Sequence, residues 1–261
     1  MRSFLSVALI LSILCISAPG ITQEEEVAPI FQEVRGLMYE TYKGVNRPIF
    51  NEYFEMLVEK YEGTDARWAI FNENLSVSHR LTALSEGWDS VIAITEDRQA
   101  SFQEFTYAQR ALWDVAWDTR QVQLYGAMPA LSYVPEGFTV ENIRQLPYHR
   151  VEIHHLKWDQ APAWREALAR RHEIDREAGV DNMVLTTWGG GLGTERMTVM
   201  IRIAAESPEA DQAQLAERQQ LREPYMDEIM ELMAQMHAAT RHVERHDQMR
   251  DYDRSHPVIA R

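Results

Sequence analysis

A chain of 261 residues, 45% of them apolar and 10% aromatic, can bury a substantial core and is not a disordered segment. Its formal net charge of −14 argues against a nucleic-acid backbone as the main partner, because such binders concentrate Lys and Arg to displace counterions. The one cysteine, Cys15, leaves the rest of the chain without thiolate catalysis or Cys-ligated metal.

Residues 1–20 read as a secretory signal segment. Arg2 precedes an apolar run from Phe4 to Ile16, and small or turn-forming residues follow to Gly20. The run is shorter than the ~20 residues a bilayer span needs. The expectation is a periplasmic or secreted protein with no stable membrane span after cleavage. A lipid on Cys15 is the competing reading, but the bulky Leu14 is the wrong neighbour for it.

A first unit is expected over residues 21–126. Its opening strand, residues 34–43, puts Leu37 and Tyr39 on one face and Met38, Glu40 and Tyr42 on the other. Pro48 then starts a helix carrying Phe50, Tyr53, Phe54, Leu57 and Tyr61, and Gly63 ends it. Strands are expected at 68–75 and 88–95, joined by a long hairpin connection that contains His79. Phe102, Phe105, Leu112 and Ala116 mark a second helix. Residues 127–147, rich in turn formers, read as a linker.

The same order recurs over residues 148–248. A strand at 150–156 leads to a helix from Pro162 to Gly179, strands at 182–188 and 196–205, and a helical stretch from 209 to 246 interrupted at Pro224. Residues 249–261 are left as a charged tail. Trp188-Gly-Gly-Gly-Leu-Gly193 superficially resembles a phosphate loop. A strand pattern follows it, with no Gly-Lys-Ser/Thr ending, so a hairpin turn explains it better.

Two β-α-β-β-α units, each with one sheet face bare of helices, define an α+β fold of two ferredoxin-like repeats whose sheets pack face to face. That arrangement resembles the dimeric α+β barrel superfamily, here as a tandem single-chain repeat. The resemblance spans nearly all of the chain after residue 20, but only as element order. It implies chemistry like that of antibiotic-biosynthesis-type monooxygenases or haem-associated members, and carries over no residue role.

In the strand 148–156, Val151 and Ile153 share one face and Glu152 and His154 the other. With the apolar face placed under the helices, Glu152, His154, Glu40, Tyr42 and Arg202 would converge inside the barrel, capped by Trp188. His154 would act as general base or cofactor ligand with Glu152 tuning it, and Arg202, Glu40, Tyr42 and Trp188 would contact substrate. The bland counterpart is a self-satisfied ionic network knitting the sheets together. His242 and His246 fall on one face of the expected last helix but lack a third partner, so no metal ligand is assigned. The expected function is an exported small-molecule-binding protein or enzyme, oxygenase-like or haem-associated by resemblance, with haem or a divalent metal as the cofactors open to it. The alternative is a non-catalytic scaffold with a filled barrel. Either a monomer with internal pseudo-symmetry or a homodimer accommodates the repeat.

Overall fold

The structure, a computed structural model, describes residues 28–257. The segment expected to be a secretory signal, with Cys15, and the last four residues lie outside the described residues. In chain order the elements are α1 (Pro29–Glu33), β1 (Gly36–Lys43), α2 (Arg47–Lys60), β2 (Trp68–Asn72), β3 (Val77–Leu84), α3 (Asp89–Glu104), α4 (Tyr107–Val115) and β4 (Thr119–Ala127). They continue as α5 (Val140–Gln145), β5 (Tyr148–Leu156), α6 (Ala161–Glu177), β6 (Val184–Gly190), β7 (Thr198–Ala205), α7 (Pro208–Leu221), α8 (Met226–Ala239) and β8 (Thr240–His256).

The eight strands close into one antiparallel barrel in the order β1-β3-β2-β8-β5-β7-β6-β4. Each repeat contributes four neighbouring strands, 4-1-3-2 in its own order, as the ferredoxin-like pattern requires. Two seams join the halves. At one, β2 pairs with β8 through Phe71↔Arg250 and Asn72↔Met249. At the other, β4 pairs with β6 through Tyr125↔Gly190, Gly126↔Gly189 and Ala127↔Trp188.

Most barrel strands bury residues on both faces, while the start of β4 and the first half of β8 are exposed. Leu37, Tyr39, Phe71, Leu81, Tyr125, Val151, Ile153, Trp188 and Met200 meet inside the barrel. Tyr42 and Ile70 face outward under α2, against Phe50, Phe54 and Leu57. On the second half, Leu156, Val199, Ile201 and Ile203 face outward under α6 and α8, against Trp164, Leu168 and Met236. Helix ends follow local chemistry. Pro48 and Pro162 sit in the first turns of α2 and α6, where a missing N–H costs nothing. Ser207 caps α7 by accepting from the Ala210 N–H.

Four expectations are corrected. Residues 88–95 begin helix α3, not a strand; the strand beside β1 is Val77–Leu84. The last helix stops at Ala239, and residues 240–256 form β8, so His242 and His246 stand on a strand. The segment from 249 to 256 is therefore barrel wall, not tail, and each repeat ends in a fourth strand. Finally, the register of β1 and β5 is inverted: Val151 and Ile153 face the barrel interior, while Glu40, Tyr42, Glu152 and His154 lie on the outer face beneath the helices. An interior needs apolar side chains as much as a helix interface does, and the charged face of β5 finds its partners outside.

Candidate functional site

The sequence-singled residues fall into three places. On the outer face of the first half, Glu40 is fully buried beneath Arg80, Arg98 and Arg120, which line a cavity of about 590 Å³ between that face and α2, α3 and α4. It accepts from Arg98 Nη1 at 2.9 Å, from Arg120 Nε at 2.8 Å and Nη2 at 2.5 Å, and from the Tyr42 hydroxyl at 3.1 Å. Arg80 lies 3.8 Å from the same carboxylate, stacked over the Trp68 ring at 4.6 Å. Burial alone would raise the Glu40 pKa. The guanidiniums of Arg98, Arg80 and Arg120 overcome that and hold it at about 2. Burial, with the Glu40 carboxylate adding to it, pushes the Tyr42 phenol up to about 12.

Three guanidiniums therefore surround one carboxylate, leaving an excess of two positive charges. Arg80 Nε is buried without a hydrogen-bond partner. The rest of the wall is aromatic and apolar, with Tyr53, Tyr61, Phe102, Phe105 and Trp113 among the lining side chains. Such a volume lies within the range of small-molecule sites, where a few polar groups fix orientation in an apolar surround. Arg98 and Arg120 also touch the wall: Arg98 Nη2 donates to Thr82 Oγ1 at 2.7 Å, and the Arg120 guanidinium lies over Trp113 at 5.2 Å.

On the outer face of the second half, Glu152 accepts from Arg150 Nη1 at 2.9 Å and faces His154 Nε2 at 3.3 Å. Burial raises its pKa, but the His154 hydrogen bond and the Arg150 charge outweigh this and hold it at about 2. Arg150 continues the network to the buried Asp211 at 2.8 Å. The His154 ring lies 5.2 Å from Trp164, and His154 pairs in register with Val199. A haem could take His154 as axial ligand only by displacing the apolar cluster of Trp164, Leu168, Val199 and Ile201. No histidine lines the first-half cavity. The residues present thus do not fit haem at either place.

Arg202 and Trp188 do face the interior, as expected, and line a cavity of about 140 Å³. Arg202 Nη1 donates to Gln248 Oε1 at 3.4 Å, and Gln248 Nε2 donates to the Tyr39 hydroxyl at 2.6 Å. Burial pushes the Arg202 pKa down to about 10. The Trp188 indole N–H donates to Thr186 Oγ1 at 3.0 Å, and its ring meets Phe31 of α1 at 5.7 Å. It plugs that end of the barrel. The six expected site residues form three separate groups, not one pocket.

At the opposite mouth, imidazoles and carboxylates collect. Glu73 Oε2 lies 3.0 Å from both His79 Nε2 and His246 Nδ1. Beside them His155 Nε2 faces Glu244 Oε1 at 2.7 Å, and the His155 and His242 rings stack at 3.9 Å. The sequence reading missed Arg80, Arg98 and Arg120 at the cavity and Glu73 and His79 at this mouth. For Arg98 the available signal was the helical spacing Val91, Thr95, Arg98, Phe102, invisible once 88–95 is taken as a strand.

This architecture defines the class: the chain has the dimeric α+β barrel fold, built from two ferredoxin-like repeats in one polypeptide. Among solved structures it is similar to a proposed monooxygenase of Lactobacillus acidophilus NCFM, at 7% identity over 83% of this chain and 94% of that one, with a TM-score of 0.50. An anthrone oxidase-like protein aligns at 10% identity over 84% and 92%, with a TM-score of 0.54. A chlorite dismutase variant of Candidatus Nitrospira defluvii aligns at 11% identity over 85% and 94%, with a TM-score of 0.49. At such identities the likeness is one of fold. No family model and no curated protein matches the sequence. Among the described residues no helix is long and apolar enough to cross a membrane.

Proposed function

We propose that the protein binds a small aromatic anion in the first-half cavity, with the carboxylate or equivalent group of the ligand received by Arg80 and Arg98 and its ring laid among Phe102, Phe105 and Trp113. The observation that carries this reading is the charge imbalance: three buried or half-buried guanidiniums share one carboxylate. Burying unpaired cations is costly, and an anionic ligand supplies the missing charge. Fold relatives described as a proposed monooxygenase and as anthrone oxidase-like make oxidation of a bound aromatic the reaction class this reading extends to. The leader pattern in residues 1–20 supports export. Amino-terminal sequencing of the protein recovered from a periplasmic or secreted fraction should begin near residue 21.

The binding test is a calorimetric titration with 2-naphthoate and with the neutral 2-naphthamide. The carboxylate should bind at least about tenfold more tightly, because a charge-assisted pair with a buried guanidinium is worth roughly 1.5–3 kcal/mol. Arg98→Gln should abolish that preference. Equal affinity for the two compounds, or an Arg98→Gln variant that still discriminates, would sink the reading. The barrel interior holds a cavity of about 140 Å³ against about 590 Å³ on the outer face, which favours a scaffold role for the lumen, with the aromatic ligand bound outside it.

A further inference from the structure

We infer that the barrel mouth opposite α1 is a divalent transition-metal site, with Glu73 Oε2, His79 Nε2 and His246 Nδ1 as its ligands. These donor atoms all lie within 4.8 Å of one another, and the carboxylate oxygen is 3.0 Å from each imidazole nitrogen. Two ligands bound at ~2.1 Å in a tetrahedral arrangement stand roughly 3.4 Å apart, so each Glu73–imidazole pair need open by only a few tenths of an ångström to admit an ion between them. His79 is buried and rigidly placed by β3, with its ring stacked on Tyr39 at 5.2 Å and 17°. Glu73 follows β2 directly, in the turn that returns the chain to β3. His246 arrives from β8, opposite Val151. Glu73 and His246 remain partly open, which gives the ion a way in.

The remaining nitrogens point to metal as well. A ligating imidazole ordinarily donates its other N–H to an oxygen that fixes the tautomer. His79 Nδ1 lies 3.2 Å from Thr41 Oγ1, and His246 Nε2 lies 3.7 Å from the second carboxylate, Glu244 Oε2. Two imidazoles and one carboxylate, with no thiolate and no carbonyl cage, suit zinc, iron(II), cobalt(II) or nickel(II) in preference to calcium or magnesium. Three protein ligands leave a coordination position for water or another small ligand. The site spans the seam between the halves, since Glu73 and His79 belong to the first repeat and His246 to the second. A bound ion therefore ties β8 to the β2–β3 hairpin.

The test uses the full mature chain, stripped with EDTA and dialysed, and titrated with Zn²⁺ by calorimetry and with Co²⁺ by visible absorbance. One equivalent should bind with a Kd below about 10 µM, with cobalt d–d bands of nitrogen-ligated character and a raised Tm. Glu73→Gln and His246→Asn should each weaken binding at least about 100-fold while retaining the near-ultraviolet circular dichroism of the folded chain. His242→Asn, which alters the exposed outer cluster, should leave the affinity within about threefold. Weaker binding than that threshold overturns the inference. So does a pattern in which His242→Asn abolishes binding and Glu73→Gln does not, for the ion would then lie in the outer His155, His242 and Glu244 group.

Discussion

Glu40 shows how one buried carboxylate organises a cavity. Its folded pKa of about 2 lies below the ordinary 4.5, so its contribution is complete above pH 4.5 and is lost as pH falls from there toward 2. The gap corresponds to a contribution on the order of 3 kcal/mol. Glu152, also held at about 2, loses its contribution over the same range. Urea unfolding measured between pH 7 and pH 3 should show stability falling steeply below about pH 4.5, and Glu40→Gln should flatten part of that fall. The same variant should cost about 3–5 kcal/mol at pH 7, because it leaves Arg80, Arg98 and Arg120 facing one another. A Glu40→Gln profile parallel to the wild type would refute the assignment. At this scale the sequence showed that Glu40, Tyr42, Glu152, His154, Arg202 and Trp188 were unusual, but not where they pointed. Alternation fixes which residues share a face; it does not say which face is inside when both are buried.

The least legible element is β8. Thr240 to His256 is almost wholly polar, and it follows the helical Met226–Ala239 run without a glycine or proline stop. Its strand conformation comes from partners far away in sequence: β5 along most of its length and β2 at its end. Tertiary pairing thus overrides a weak local preference. The Trp88–Thr95 run errs in the opposite sense, since Val91, Ile92 and Ile94 favour a strand by composition. Yet Val77–Leu84 already occupies the place beside β1, and the run turns into α3 after Gly87, whose φ of +61° suits glycine. Deleting residues 249–261 removes every β8 residue paired with β2, whereas deleting 258–261 removes none. The longer deletion should abolish the cooperative thermal transition and raise amide exchange in β2. The shorter should leave both unchanged. A cooperative transition surviving the longer deletion would show that this seam is dispensable.

At the scale of the molecule, the repeat was readable because prolines and apolar periods recur in the same order, and each half alone leaves a sheet face uncovered. The closure follows from that deficit: Leu37, Tyr39, Phe71 and Leu81 from the first half bury themselves on Val151, Ile153, Trp188 and Met200 from the second. Neither half possesses that core by itself, and the outer edges of each half's outermost strands are paired only by the other half. Two consequences follow. The closed barrel satisfies its own edges, so the chain should run as a monomer in light scattering coupled to size exclusion. Moreover, residues 28–147 and 148–257 made separately should each expose an apolar sheet face and two unpaired edges, and should be insoluble or molten. Made together, they should reassemble into a complex with the near-ultraviolet circular dichroism of the intact chain. If either fragment instead unfolds cooperatively as a soluble monomer, that half already holds a sufficient core under its own helices, and the interior contact is a docking of two finished domains.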